Sequence, residues 1–132
     1  MKKLLLSILL PIFTAPALNK LPAKPILFVD FDKVEQKSLE YIRIQNRHND
    51  LSKQYCAANQ QQERNKISSE IECCNIERDI FLKRLKLVCR EIARKMDAIA
   101  VTYSANLVVF YVDPKYDITE SIINALNIEY NK

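Results

Sequence analysis

The chain has 132 residues, which is room for one domain, and it contains no glycine and no tryptophan. Its 20 basic and 16 acidic residues give a formal net charge of +4, too small an excess to argue for nucleic-acid binding by itself. The lack of glycine excludes a glycine-rich phosphate loop, and no serine or cysteine nucleophile has a candidate base near it. We therefore expect a protein that is not an enzyme and requires no cofactor.

Residues 1–17 have the three parts of a secretory signal peptide. Lys2 and Lys3 form a positive n-region, residues 4–13 an apolar h-region, and residues 15–17 a cleavage site of small residues. The apolar part is too short to span a bilayer, which needs about 20 residues. We therefore expect export by a cleaved signal peptide. An uncleaved signal that anchors the chain is the alternative.

A linker with two prolines, residues 18–25, precedes a stretch of β-forming residues at 26–31. Asp32 and Glu35 follow with the spacing of a capping box, so the first helix is expected to begin there. The strand therefore passes into the helix with almost no loop. Residues 26–132 are predicted to form a single domain.

The longest predicted element follows, over about residues 33–98, where the chain contains neither proline nor glycine. Apolar residues recur there at heptad spacing, as they do when one helix lies along another. A polar stretch at residues 59–66 interrupts the pattern. The sequence therefore predicts an antiparallel helical hairpin with its tip in the polar stretch. One unbroken helix is the alternative, because the tip lacks a helix-stop residue.

Two further strands and a short helix are predicted after the hairpin. Residues 99–103 and 107–112 are rich in β-formers, and Asp113 and Pro114 end the second of these strands. Asp117 and Glu120 have capping-box spacing, which predicts a helix over about residues 118–127. Such a base is too small to bury an adequate core alone, so we expect it to associate with copies of itself or with another protein. The predicted fold is α+β, a long helical hairpin projecting from a small β base.

The order of these elements resembles that of the Skp/OmpH family of periplasmic chaperones. The most specific part is the run from Val109 to Asn127, in which a strand, Asp-Pro and then Tyr-Asp-Ile-Thr open the last helix. The signal peptide and the first strand running into Asp32, Lys33 and Val34 are similar to that family as well. The arms are shorter than is common in the family, and four cysteines are unexpected in an oxidising compartment.

The resemblance implies a homotrimer in the periplasm whose strands build a small barrel-like base. Three helical hairpins would project from that base around a cavity and hold unfolded outer-membrane proteins, the clients, without ATP. The base residues expected to be buried on assembly are Phe28, Val29, Val109 and Tyr111. The alternative is an exported or signal-anchored structural coiled coil without chaperone activity.

The second arm carries an apolar stripe opposite its heptad seam. The seam holds Ile71, Phe81, Leu85, Val88 and Ile92, and the opposite face holds Cys73, Ile76, Ile80 and Leu87. Between residues 78 and 95 seven basic and two acidic residues give a net charge of +5.

One hairpin partner can cover only one of the two faces, so the stripe is a candidate surface for a neighbouring subunit or for clients. The client-contact candidates are Ile76, Ile80, Leu87, Lys83, Arg84 and Arg90. An anionic lipid surface is a further candidate partner. Nucleic acid is not, because the arm lacks a stacking surface of aromatic and basic residues.

The four cysteines follow none of the usual zinc or redox spacings. With Val34 placed near Ile99 across the hairpin, Cys56 lies near residue 77. A disulfide from Cys56 to Cys74, or to Cys73, is then feasible, because a bridge needs Cα atoms within about 7 Å. The alternative is four free thiols.

Overall fold

The computed structural model describes residues 23–103 and 112–132. This part of the chain is mostly helical and contains one small sheet, which agrees with an α+β fold at this level of detail. In chain order the elements are β1 (Ile26–Val29), α1 (Phe31–Lys37), α2 (Leu39–Ala57), α3 (Gln61–Lys95), β2 (Ala100–Tyr103), a 3₁₀ turn (Pro114–Tyr116) and α4 (Thr119–Tyr130). The predicted signal peptide, most of the linker, and the predicted strand at 107–112 except Val112 lie outside the described residues.

Helices α2 and α3 form an antiparallel hairpin, so the single unbroken helix is wrong. The chain reverses at residues 58–60, where Ala58 and Gln60 both have extended backbone angles. Arg64 donates from Nε to the Ala58 carbonyl at 2.9 Å. Because this turn needs no positive φ, the chain can make it without glycine.

The tip of the hairpin lies earlier in the chain than the polar stretch suggested. Helix α3 already begins at Gln61, so most of residues 59–66 are its solvated first turns. The ring centroids of Tyr41 and Phe81 lie 5.3 Å apart across the hairpin, which defines the true register. The prediction failed because a polar helix surface and a polar loop have the same composition.

This register also makes the predicted disulfide wrong. Cys56 comes 15 residues after Tyr41, so it faces the position 15 residues before Phe81, about residue 66. Cys74 is eight residues further along, about 12 Å at 1.5 Å per residue, which is beyond bridging distance. Cys56 is exposed, whereas Cys74 is buried against Leu51 and Ile67. All four cysteines are free.

Strands β1 and β2 pair in parallel, with Ile26 beside Ala100 and Val29 beside Tyr103. Parallel pairing requires the chain to return to the end at which β1 began. Helix α3 has 35 residues, whereas α1 and α2 together have 26, a surplus of nine. That surplus is about 13 Å of helix, the length of a four-residue strand. Helix α3 therefore runs past the sheet, and Ile99 N–H then donates to the Pro25 carbonyl at 3.0 Å.

The base of the hairpin has a hydrophobic core of its own. Leu27, Val34 and Phe81 are fully buried in it, and Ile122 and Leu126 of α4 complete it. The roots of both arms complete this core within the chain, and the expected association of the base with further copies stays a prediction. Val29, which is only 2% exposed, needs no assembly to be buried.

Neither predicted capping box forms as such. Asp30, not Asp32, caps α1 by accepting from the Lys33 N–H at 3.1 Å. Asp117 accepts from the Thr119 N–H at 3.0 Å, but Glu120 reaches Lys33 and Lys37 at 2.9 and 3.1 Å. Hydrogen bonds from these two lysines hold the pKa of Glu120 below its usual value. Of the acidic residues predicted as caps, Glu120 instead ties α4 to α1.

A break at Ser38 separates α1 from α2, and α4 holds it in place. Ser38 has extended backbone angles and is fully buried. The side-chain amide of Asn127 accepts from the Leu39 N–H at 2.9 Å and donates to the Lys37 carbonyl at 3.2 Å. One side chain therefore satisfies two of the backbone groups that the break leaves without helical partners.

We predict that Asn127→Ala lowers the free energy of unfolding by about 1–2 kcal/mol, because it leaves two backbone groups at the break without their partner. Asn124→Ala is the matched control, since Asn124 is an exposed residue of the same helix. Urea denaturation followed by circular dichroism measures both variants. Equal stability of the two would contradict the role given to Asn127.

Helix α3 ends in a Schellman motif in which Asp97 takes the position that glycine usually occupies. Asp97 has a φ of 49°, in the left-handed region. Its N–H donates to the Arg94 carbonyl at 3.3 Å, and the Ala98 N–H donates to the Ala93 carbonyl at 2.9 Å. A residue with a Cβ is strained in this conformation.

We predict that Asp97→Gly raises the free energy of unfolding by about 1 kcal/mol, because glycine relieves that strain. Asp97→Ala is the control. It removes the exposed ion pair with Lys24 in the same way but keeps a Cβ, so it should bring no gain. Thermal and urea denaturation of both variants test this. A glycine variant no more stable than the alanine variant would contradict it.

Candidate interaction surface

The candidate surface is a row of apolar side chains on the face of α3 that points away from α2. Ile76, Ile80 and Leu87 are 52%, 49% and 54% exposed, whereas Phe81 and Leu85 on the seam side are buried. The residues lie four and seven positions apart, a spacing that keeps them on one helix face. The two-face pattern predicted this exposure, and the structure shows it. We call these three residues the α3 stripe.

The basic candidates beside the stripe have different surroundings. Lys83 and Arg90 are exposed and form no ion pair within residues 23–103 and 112–132. Arg84, in contrast, pairs with Glu40 of α2, whose side chain is largely buried. Arg84 therefore holds the two arms together and is a poor candidate for client contact.

A second charged cluster joins the arms further towards the tip. Glu77 of α3 accepts from Arg43 at 2.7 Å and from Arg47 at 2.9 Å, both on α2. These side chains are partly exposed, so each pair contributes about 0–1 kcal/mol. The apolar seam supplies most of the stability of the arms. The ion pairs favour the observed alignment of α2 with α3 over alignments shifted along the helices.

The base leaves apolar residues exposed around the sheet, which sequence reasoning did not single out. Ile26, Ile99 and Tyr103 are 58%, 69% and 58% exposed. The predicted contact residue Phe28 is half-buried, and its carbonyl accepts from the Ile118 N–H at 3.0 Å. The two-residue alternation of β1 could have identified Ile26, because its neighbour Leu27 faces the core. Val109 and Tyr111 lie outside the described residues.

An apolar groove of about 440 Å³ lies between the sheet and α3. Val29 and Val101 line it from the strands, and Leu82 and Leu85 line it from α3. The rings of Phe31 and Tyr103, 6.4 Å apart, also line it. Sequence reasoning missed this groove because it depends on how β2 is placed beside α3.

Three more α3 residues border the groove, namely Lys86, Cys89 and Arg90. Lys86 and Arg90 are exposed and one helical turn apart. Cys89 is half-buried, and this burial raises the pKa of its thiol. The groove therefore combines an apolar floor with two cationic side chains at its border.

Comparison of the chain with known protein families, with curated proteins and with solved structures found no match in any of the three. The resemblance to the Skp/OmpH family therefore stays a prediction that rests on the residues quoted for it. Within the described part of the chain no helix is long and apolar enough to cross a membrane.

Proposed function

We propose that this protein is a periplasmic, ATP-independent holdase chaperone that binds unfolded outer-membrane proteins and prevents their aggregation. The observation that carries the proposal is the α3 stripe, three large apolar side chains about half exposed on a continuous 35-residue helix. Exposed apolar side chains that lie next to one another usually mark a contact surface. The signal-peptide pattern and the family resemblance supply the compartment and the class of client.

The stripe suits a client without fixed structure. An unfolded chain presents apolar side chains at irregular spacing, so capture has to rest on many weak contacts. A straight helix face offers such contacts along its length without requiring one shape. Lys83 and Arg90 beside the stripe attract acidic segments within about 8 Å at physiological salt. Capture of a client in this way requires no nucleotide, because it involves only the burial of apolar side chains and the pairing of charges.

The proposal includes a homotrimer formed through the base. One hairpin has only one exposed stripe and cannot surround a client, whereas three hairpins from a common base can. The exposed side chains of Ile26 and Ile99 support this assembly, because both lie at the sheet. We propose that Phe28, Val109 and Tyr111 complete the contact.

For assembly we predict that light scattering of the exported chain gives the mass of a trimer at micromolar concentration. Ile26→Ser combined with Ile99→Ser should shift the mass towards the monomer, because it removes apolar area from the proposed interface. Ile128→Ser is the matched control, since Ile128 is 61% exposed on α4, outside the sheet. A stable wild-type monomer would refute the trimer.

For chaperone activity we predict that Ile76→Ser, Ile80→Ser and Leu87→Ser together raise the half-protecting concentration about tenfold, because the three substitutions together remove about 1.4 kcal/mol of apolar contact. The assay is aggregation of a urea-diluted outer-membrane protein, followed by light scattering. No single substitution should account for most of the loss.

The matched control replaces three exposed apolar residues outside the stripe with serine, namely Leu39, Met96 and Ile128. It should protect as well as wild type. If wild-type protein gives no protection at equimolar trimer, the holdase proposal fails and a structural coiled coil is the better description. If the stripe variant protects as well as wild type, clients bind elsewhere.

A further inference from the structure

The groove between the sheet and α3 is open to solvent, and its floor is apolar. Its floor is made of aliphatic side chains, among them Val101, Leu82 and Leu85. Among residues 23–103 and 112–132 no acidic residue lines it, and its neutral polar side-chain groups are the Cys89 thiol and the Tyr103 hydroxyl. Its volume, about 440 Å³, falls within the range of small-molecule sites, roughly 300–1,000 Å³.

The two basic residues at its border form no ion pair in the described residues, whereas other basic residues of the arms do. Arg84 pairs with Glu40, and Arg43 and Arg47 pair with Glu77. Lys86 and Arg90, by contrast, pair with no carboxylate in the described ranges of the chain. Two unpaired cations one turn apart beside an apolar floor complement a ligand that has an anionic head and an apolar tail.

The lining favours a hydrocarbon tail over a peptide. A peptide in the groove would bring N–H and C=O groups out of water, and the side chains of the floor offer them no hydrogen-bond partner. Each such group costs free energy when it is buried unpaired. An acyl chain has no polar group to lose, and its burial on Val101, Leu82 and Leu85 is favourable along its whole length.

We propose that this groove binds a fatty carboxylate, with the acyl chain on the apolar floor and the carboxylate between Lys86 and Arg90. The site is separate from the α3 stripe and does not depend on chaperone activity. Its ligand is a single amphiphile in a groove, and not a membrane surface.

Cys89 gives the site a built-in reporter. Its half-buried thiol borders the groove, whereas Cys56 and Cys73 are exposed elsewhere and Cys74 is buried at the seam. The experiment treats the full chain with N-ethylmaleimide at mildly alkaline pH and follows each cysteine by peptide mass spectrometry. Dodecanoate below its micelle concentration should slow alkylation of Cys89 and leave the rates of Cys56 and Cys73 unchanged. An unreactive Cys74 shows that the fold is intact throughout.

Charge reversal tests the head group. Lys86→Glu with Arg90→Glu should raise the dodecanoate concentration needed for half-protection about tenfold, since the carboxylate loses two exposed ion pairs and meets two like charges. Lys86→Arg with Arg90→Lys keeps both charges and should protect like wild type. Lys83→Glu is the matched control, because Lys83 is exposed on α3 but does not line the groove. Dodecyl maltoside, with the same tail and no charge, should protect more weakly than dodecanoate.

Three results would overturn the proposal. In the first, Cys89 is unreactive without any ligand, which means that the chain itself or a second copy already covers the groove. In the second, dodecanoate fails to protect Cys89, or protects the charge-reversed variant equally well. In the third, an apolar peptide with an amidated C-terminus protects as well as dodecanoate, which makes the groove a peptide site. Loss of holdase activity in the stripe variant would leave the Cys89 result unchanged.

Discussion

Parallel pairing of β1 with β2 is the constraint on which the rest of the structure depends. It requires the returning arm to be longer than the outgoing one by about the length of a strand, and α3 exceeds α1 and α2 by nine residues. Because of this surplus, the root of α3 lies beside the sheet. Phe81 and Leu85 can then join the core, and Leu82 can face the strands. The same geometry leaves the α3 stripe exposed in the described part of the chain.

A chain without glycine has to reverse direction by other means, and it does so differently at the two ends of α3. At the tip, extended residues on both sides of the turn avoid a positive φ altogether. At the root the helix ends in a Schellman motif, which requires a left-handed residue, and Asp97 takes that conformation at some cost. The tip is therefore unstrained, and the local strain lies where α3 must turn sharply into β2.

The heptad pattern was sufficient to predict the seam and the exposed stripe, because helical periodicity depends only on neighbouring residues. It did not by itself separate a hairpin from one unbroken helix. The position of the tip was not predictable from composition, since a solvated first turn of helix is as polar as a loop. The break at Ser38 was missed because its cause, Asn127, lies 88 residues from the Leu39 N–H that it binds. The groove was missed for a similar reason: Val29, Leu82 and Val101 meet only through the parallel pairing.

Helix α3 has three faces with different surroundings, and the two proposed binding roles use different apolar side chains, with Arg90 shared between them. At 100° per residue, with Cys74 at zero, Phe81 and Leu85 lie within about 20° of the seam direction and Leu82 lies at about 80°. Ile76, Ile80 and Leu87 lie between about 200° and 240°. The seam face supplies stability, so changes there affect the whole fold. The stripe contributes little to the core, so a client can be bound there, or its binding lost by mutation, without unfolding the arm. The groove shares Val29 and Leu85 with the core, so only its exposed border residues, Lys86 and Arg90, can be changed without affecting the fold.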